Sequence, residues 1–330
     1  MLFKGFKKNK KIRELPNCVI LEITNRCNLK CIMCHFHSEQ VKRKRAQGFM
    51  EKTLWQKILD EIGTWEKEVN VETFGVGEPL LHPDLIEIIK YGKKKPNIKI
   101  GFLTNGMLLT PSMSKKLLDA EIDWIGISID GIDPKLFAHY RKGGTLTQVE
   151  TNLNELLKIK KGMKNSKPLI KLNMVVLPGM ENMVDPFINR WIDRVEEVMI
   201  AHYRPIPTRK FLDKPLNRTP CYLLYEMMVI TWDGDMVLCC EDIFADEIIG
   251  NVKKKSLRSL WESKRFEEYR KKHEKGEFDK ISICKDCDVW STNQVKIENL
   301  RGGDIWVRNT PAQKIFFKIK NDTKLKSVQG

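Results

Sequence analysis

The chain has 330 residues, of which 42% are hydrophobic and 31% charged, and its 58 lysines and arginines outnumber 43 aspartates and glutamates, giving a formal net charge of +15. A chain of this length buries enough apolar surface to fold without disulfides. Its mean hydropathy of −0.38 and the absence of an apolar run of about 18 residues exclude a membrane-embedded protein.

Basic residues are concentrated in three segments of the chain. Residues 1–13 carry only basic charges, and no apolar segment of signal-peptide type follows them, so we expect a cytoplasmic protein with no membrane partner. Residues 42–45 and 291–330 are also basic. Such runs form either solvated faces or a surface for a polyanion; nucleic acid is not expected, because the sequence contains no recognisable nucleic-acid-binding module.

Six β-branched or apolar runs alternate with amphipathic helical patterns between residues 18 and 204. The predicted strands are Cys18–Ile23, Val69–Phe74, Ile98–Leu103, Trp124–Ile129, Ile170–Leu177 and Glu197–Tyr203. Repeated strand–helix units predict parallel strands with right-handed crossovers, and six units are too few for a complete eight-stranded barrel. The predicted fold is therefore α/β, a partial (β/α)6 TIM-like barrel, followed by a small C-terminal domain made of a β-hairpin and a helix.

Residues suited to chemistry follow the predicted strands. In parallel α/β folds the active site lies at the carboxyl ends of the strands, so these residues should share one mouth. In chain order, they are Cys27, Cys31 and Cys34, then Gly77-Glu78-Pro79, then Thr104-Asn105-Gly106, then Ser128 and Asp130, and finally Asn173.

The nine cysteines indicate metal or cluster ligation, because a large cytoplasmic chain does not rely on disulfides. Cys27, Cys31 and Cys34, spaced C-x3-C-x2-C, supply three thiolates from one loop. Three thiolates around a four-iron cluster leave one iron open to another molecule. A zinc ion would need a fourth ligand, for which His35 or His37 is available, so both interpretations stay open at this point.

The cysteine loop and the Gly77-Glu78-Pro79 turn resemble the radical S-adenosylmethionine (SAM) superfamily. The resemblance implies a SAM-binding 4Fe-4S cluster on the three loop cysteines. It also implies that the turn receives the methionine amino group of SAM, although Val76 replaces the usual glycine before Gly77. The remaining implied contacts are the backbone at Met33 for adenine, Ser128 and Asp130 for ribose or carboxylate, and Asn173 for ribose.

A second group of cysteines occupies the last third of the chain. Residues 228–239 predict a hairpin that turns at Asp233-Gly234, and residues 256–272 predict a helix. With Ile249-Gly250-Asn251-Val252, this segment resembles the SPASM/twitch extension of radical SAM enzymes. The resemblance implies one auxiliary 4Fe-4S cluster, with structural zinc as the alternative. Its implied ligands are Cys221, Cys239, Cys284 and Cys287.

Two further cysteines are not expected to bind a cluster. Cys239 and Cys240 are adjacent in a predicted strand, so their side chains should point to opposite faces, and the family spacing favours Cys239 as the ligand. Cys18, inside the first strand, is expected to be a small buried apolar residue.

The resemblance implies four segments and a reaction type. The segments are a basic N-terminal segment at 1–17, a radical SAM core at 18–210, an auxiliary cluster domain at 211–290 and a basic tail at 291–330. SAM would be cleaved reductively, with flavodoxin or ferredoxin as electron donor, and the 5′-deoxyadenosyl radical would take a hydrogen atom from substrate.

The substrate is less determined than the cofactors. We expect a two-electron oxidation of a small polar or sugar-like alcohol, with Arg204, Glu241 and Asp242 as candidates for handling the hydroxyl proton. Radical modification of a peptide, by thioether formation, carbon–carbon crosslinking or epimerisation, is the alternative. A non-enzymatic zinc-binding or polyanion-binding protein is a more remote one.

Overall fold

The computed structural model describes residues 14–42, 45–163, 167–204, 217–300, 305–311 and 313–318. The predicted segment 1–13, part of 42–45, the boundary at 210–211 and the end of the tail lie outside the described residues. The strands of the described part are β1 (Cys18–Leu21), β2 (Val69–Glu72), β3 (Ile98–Thr104), β4 (Trp124–Ser128), β5 (Leu169–Val176), β6 (Glu197–His202), β7 (Met227–Ile230), β8 (Asp235–Val237), β9 (Ile248–Asn251), β10 (Lys296–Asn299), β11 (Ile305–Asn309) and β12 (Gln313–Lys318).

These strands form one sheet in the order β10-β11-β12-β6-β5-β4-β3-β2-β1-β7-β8-β9. Strands β1 to β6 pair in parallel, each with its neighbour in sequence, as the six predicted units require. Residues on one face of these strands, such as Ile100, Phe102 and Ile127, are fully buried beneath the helices. The parallel strands do not close on each other, which confirms the predicted partial barrel.

Helices connect the strands and begin at side-chain caps. Thr110, Asp133 and Thr145 each accept a hydrogen bond from a backbone N–H in the first turn, which satisfies donors that a helix start leaves free. None of the described helices is both long enough and apolar enough to cross a membrane. The helices are α1 (Lys52–Gly63), α2 (Leu85–Lys93), α3 (Pro111–Asp119), α4 (Pro134–Tyr140), α5 (Leu146–Lys161), α6 (Val184–Trp191), α7 (Leu223–Glu226), α8 (Leu257–Trp261) and α9 (Lys264–Glu274).

The predicted hairpin is the β7–β8 pair, and it continues the barrel sheet. Strand β7 pairs in parallel with β1, while β8 returns antiparallel to β7 with Gly234 at φ +95° in the turn. The prediction of a single helix over 256–272 is wrong in one respect. This segment forms two helices, α8 and α9, because the Ser263 hydroxyl accepts the N–H of Phe266 and starts a new helix.

The tail contains strands that its charge did not suggest. Strands β10, β11 and β12 form an antiparallel meander, and β12 pairs antiparallel with β6. Val307 and Phe316 from this meander are buried against the main core. The alternating β-branched and aromatic residues of 305–318, rather than the basic ones, therefore determine the structure of this segment.

Candidate active site

The loop between β1 and α1 carries Cys27, Cys31 and Cys34. Burial raises the pKa of the Cys27 thiol to about 12 and that of Cys31 to about 11, and neighbouring thiols add to both increases. Backbone N–H groups of Phe36 and His37 lie 3.5 and 3.2 Å from the Cys34 sulfur and donate to it. A set of half-buried thiols with N–H donors suits a cluster whose iron–sulfur core carries positive charge.

The zinc interpretation of this loop finds no support in the geometry. Among the described residues, no three His, Cys, Asp or Glu side chains are grouped so that they could hold one metal ion. Thiolates bound at separate corners of a four-iron cluster lie farther apart than ligands around one zinc ion. His35, one of the two predicted candidates for a fourth ligand, contacts the backbone oxygen of Arg204 at 2.9 Å through Nε2.

The Gly77-Glu78-Pro79 turn lies directly against the cysteine loop. The Glu78 N–H donates to the Arg26 oxygen at 2.8 Å, and a Cβ on Gly77 would lie 2.4 Å from the Thr24 oxygen. Burial raises the pKa of the Glu78 carboxyl, while three hydrogen bonds oppose that rise. Its carboxylate accepts from Thr104 Oγ1 and the Asn105 N–H after β3 and from the Leu80 N–H. Glu78 therefore fixes the turn, and the predicted contact of the turn with SAM stays a prediction.

Strand ends β4 and β5 bring three predicted residues together. Ser128 and Asn173 are paired in register, and Asp130 is completely buried just beyond β4. Both Asp130 oxygens are engaged, one by the Val175 N–H at 2.8 Å and the other by Arg141 Nε at 2.7 Å. Asp130 thus holds a guanidinium in place, and its predicted contact with SAM, like those of Ser128, Asn173 and Met33, stays a prediction.

Arg141 was missed at the sequence level. Its guanidinium pairs with Asp130 and lies close enough to Cys27 and Cys31 to interact with both electrostatically. The residue follows α4 instead of a strand, so the rule that points to strand ends passes over it. A buried cation beside the loop thiols partly offsets the negative charge that cluster thiolates bring.

The auxiliary cysteines come together as predicted, with one addition. Burial raises the pKa of Cys239 well above its usual range, and Cys240, Cys221, Cys284 and Cys287 all raise it further. The expectation for Cys239 and Cys240 is wrong in its geometry. Both lie in a turn beyond the end of β8, so strand alternation does not apply, and Cys240 also interacts with Cys221 and Cys287. The assignment of Cys239 as the ligand stays a prediction.

A cavity of about 320 Å³ lies between the two groups of cysteines. Cys34 and Cys240 both line it, and apolar contacts come from Met33, Phe36 and Ile243. Cys18, in contrast, is 2% exposed and packs with Ile20 and Val229 as a small apolar residue, as expected. The cavity therefore leaves room for a small molecule next to Cys34 and Cys240.

The three candidates for proton handling have different surroundings. Arg204 and Glu241 line the cavity and form a two-pronged ion pair with N–O distances of 2.8 and 3.0 Å. Asp242 is not among the residues that line this cavity, and its carboxylate accepts the N–H groups of Asp246 and Glu247. Because these bonds hold a turn, a role for Asp242 as base has no geometric support here, whereas Glu241 retains a place at the cavity wall.

Comparison with known protein families agrees with this geometry. Residues 21–184 match the radical SAM superfamily, and residues 221–288 match SPASM, an iron–sulfur cluster-binding domain. The chain therefore belongs to the radical SAM superfamily and carries a SPASM-type domain. Its cofactors are SAM, the 4Fe-4S cluster that binds SAM, and the auxiliary iron–sulfur clusters that a SPASM domain implies.

Individual relatives are more distant. The chain is 27% identical over 304 residues to a tungsten-containing aldehyde ferredoxin oxidoreductase cofactor-modifying protein of Pyrococcus furiosus, covering 76% of this chain and 82% of that protein. It is 31% identical over 192 residues to a GTP 3′,8-cyclase of Alkaliphilus metalliredigens, and it spans little more than half of that enzyme, 57% of its length.

Solved structures share the fold at low sequence identity. BtrN in complex with AdoMet and 2-DOIA has a TM-score of 0.58 at 16% identity, covering 84% of this chain and 94% of that one. The AdoMet-bound anSMEcpe has a TM-score of 0.62 at 18% identity, covering 84% and 90%. These likenesses establish a common fold, a partial barrel with a C-terminal domain.

Proposed function

We propose that the protein oxidises a small polar alcohol by two electrons in the cavity between its two cluster sites. The observation that carries this proposal is the cavity itself, about 320 Å³ in volume, bordered by Cys34 on one side and Cys240 on the other. This volume is at the small end of the range for ligand pockets. A cofactor-modifying relative, which covers 76% of the chain, also favours a small molecule over a peptide.

The cofactors and the chain divide the chemistry. When bound, the first cluster and SAM supply a radical that takes one hydrogen atom from a carbon, and the auxiliary cluster supplies an acceptor for the second electron. Conversion of CH–OH to C=O then requires only the loss of the hydroxyl proton. Glu241, held by Arg204, can accept a hydrogen bond from that hydroxyl, and Met33, Phe36 and Ile243 keep water from the carbon.

Domain limits and partners belong to the same proposal. We place the catalytic core at 18–210 and the auxiliary domain at 211–290, in keeping with the family matches at 21–184 and 221–288. A flavodoxin or ferredoxin would deliver the electron in the cytoplasm. The family assignment removes the remote alternative of a non-enzymatic zinc-binding or polyanion-binding protein.

The test uses anaerobically reconstituted enzyme with SAM, dithionite and three probe sets: polyols and aminocyclitols, nucleoside triphosphates, and short peptides. We expect an alcohol to increase 5′-deoxyadenosine formation and to yield one carbonyl product per deoxyadenosine. Stimulation by peptides alone, with a crosslinked or epimerised product, would replace the proposal with the peptide alternative. Stimulation by nucleotides alone would also reject it.

Two variants test whether the reaction takes place in this cavity. Glu241→Gln should retain SAM cleavage without substrate but reduce carbonyl formation about 100-fold, within the range for loss of acid–base assistance. Glu262→Gln is the matched control, because Glu262 lies on the surface and pairs with Arg258. Equal product yields from both variants would show that Glu241 has no part in the reaction.

A further inference from the structure

A buried histidine contacts two of the auxiliary cysteines. His273 lies in the last turn of α9 and is only 1% exposed. Its Nδ1 lies 3.2 Å from the backbone nitrogen of Cys221, and its Nε2 lies 3.4 Å from the sulfur of Cys284. No sequence motif pointed to this residue, because it stands in a lysine-rich helix outside the cysteine spacing.

The hydrogen bonds fix which ring nitrogen carries the proton. A backbone N–H can only donate, so Nδ1 of His273 must be the acceptor from Cys221. In a neutral imidazole the proton is then on Nε2, and that N–H points at the Cys284 sulfur. The ring is thus an oriented donor toward a predicted cluster ligand.

Neighbouring groups hold this arrangement in place. Phe278 packs edge-on against the His273 ring, with centroids 5.1 Å apart. Arg218 stacks over Phe278 at 4.1 Å and donates to the Cys284 carbonyl oxygen at 2.7 Å. Neighbouring side chains therefore hold both the His273 ring and the backbone of Cys284 in place.

We propose that His273 is a positioning residue for the auxiliary cluster. Its Nε2 donates a hydrogen bond to the Cys284 thiolate and thereby raises the reduction potential of that cluster. A donor to sulfur stabilises the reduced cluster more than the oxidised one, because reduction increases the negative charge on the sulfur ligands. The inference rests on the SPASM assignment and is independent of the substrate proposed above.

The proposal gives the two ring nitrogens of His273 different roles, and two variants can test these roles separately. Glutamine places an amide N–H near the position of Nε2, and asparagine places an acceptor near the position of Nδ1. His273→Gln should therefore keep the donor to Cys284, whereas His273→Asn should keep only the acceptor for Cys221. His139→Gln, at an exposed position on α4, is the matched control.

The measurement is an anaerobic redox titration of the reconstituted full chain, followed by electron paramagnetic resonance. The Cys27→Ala/Cys31→Ala/Cys34→Ala chain identifies the auxiliary signal. We expect His273→Asn to make reduction of the auxiliary cluster about tenfold less favourable, which is about 59 mV for one electron. His273→Gln and His139→Gln should stay close to the unmodified chain.

Each alternative outcome has a definite meaning. An unchanged potential in His273→Asn with full iron content would overturn the proposal, as would equal shifts in the asparagine and glutamine variants. If the asparagine variant loses the auxiliary iron and the glutamine variant keeps it, the donor is needed to hold the ligand, which supports the role. Loss of iron in both would mean that packing of the ring, rather than its N–H, matters.

Discussion

Gly77 illustrates how a single missing side chain brings two loops of the active site together. The carbonyl oxygens of Thr24 and Arg26 lie 2.4 and 2.6 Å from the position that a Cβ would occupy. Contacts this short cannot be relieved by rotating a side chain, because both partners are backbone atoms. The turn, which we predict to contact SAM, can therefore reach its position only with glycine at this residue.

We accordingly expect Gly77→Ala to weaken SAM binding. Displacing the turn by part of an ångström should raise the dissociation constant about tenfold or more, since small errors in positioning carry large costs in active sites. Equilibrium dialysis with labelled SAM on reconstituted protein would measure it. Gly162→Ala is the control, because a Cβ there lies 3.4 Å from its nearest neighbour, an ordinary contact. Wild-type affinity in Gly77→Ala would mean that the turn need not lie this close.

The Asp130–Arg141 pair shows why a predicted ligand can have an indirect role. Asp130 has the right residue type at the right strand end, yet both of its oxygens are used by the protein. Arg141, which no motif marks, is the group that remains next to the loop thiols. Sequence position identifies the strand end at which Asp130 lies, while the fold shows that Asp130 holds Arg141 beside the loop thiols.

At the scale of elements, α9 supports the auxiliary site at its far end. The helix begins at Ser263, whose hydroxyl accepts the Phe266 N–H at 3.3 Å, and it carries His273 in its last turn. Ser263→Ala removes this cap and should cost about 1 kcal/mol. For a chain of this size we expect the anaerobic melting temperature to fall by about 1–2 °C.

Differential scanning fluorimetry of the reconstituted protein is the measurement, with iron content checked before melting. Thr151→Ala on α5 is the control, because Thr151 is exposed within a helix and caps nothing. That variant should melt within about 0.5 °C of the unmodified chain, since alanine is well tolerated in helices. A Ser263→Ala protein that melts like this control would show that α9 does not depend on its cap.

The elements could be predicted where a local pattern decides the structure. All six parallel strands follow from apolar runs separated by amphipathic helices, and the hairpin follows from Asp233-Gly234. Charge misled the prediction for 291–330, because exposed lysines and arginines conceal the alternation that buries Val307 and Phe316. The turn at Cys239-Cys240 could not be predicted, because no glycine or proline follows Val237, the last residue of β8, to mark the end of the strand.

Like the elements, the candidate site could be predicted where a local pattern marks it. Cysteines and the Gly77-Glu78-Pro79 turn are marked by fixed spacing, so the sequence predicts both cluster sites. Arg141 and His273 act across the fold, on Cys31 and on Cys284, over separations that no motif spans. Such partners become visible only when packing brings separate helices to the cysteines.

At the scale of the whole molecule, the charge excess persists in the holoprotein. Two oxidised clusters with three and four thiolates contribute about −1 and −2, which leaves roughly +12 from the formal +15. Part of this charge lies near the first cluster. Arg26 and Lys30 line a surface groove of about 530 Å³ that also reaches Cys27. A cationic rim beside a cluster ligand suits an acidic electron-donor protein.

We expect electron delivery from an acidic flavodoxin to depend on this rim. Lys30→Glu should lower the second-order rate constant on the order of threefold at low salt, and the difference should fade as salt screens the charges. Stopped-flow bleaching of the cluster absorbance measures the rate. Lys94→Glu, an exposed site on α2's C-terminal side, is the control with the same change in net charge. Equal slowing by both variants would mean that total charge, and not this rim, guides the donor.

Reduced methyl viologen, a small cation, should reduce the Lys30→Glu enzyme at least as fast as the unmodified one, which separates loss of docking from damage to the cluster.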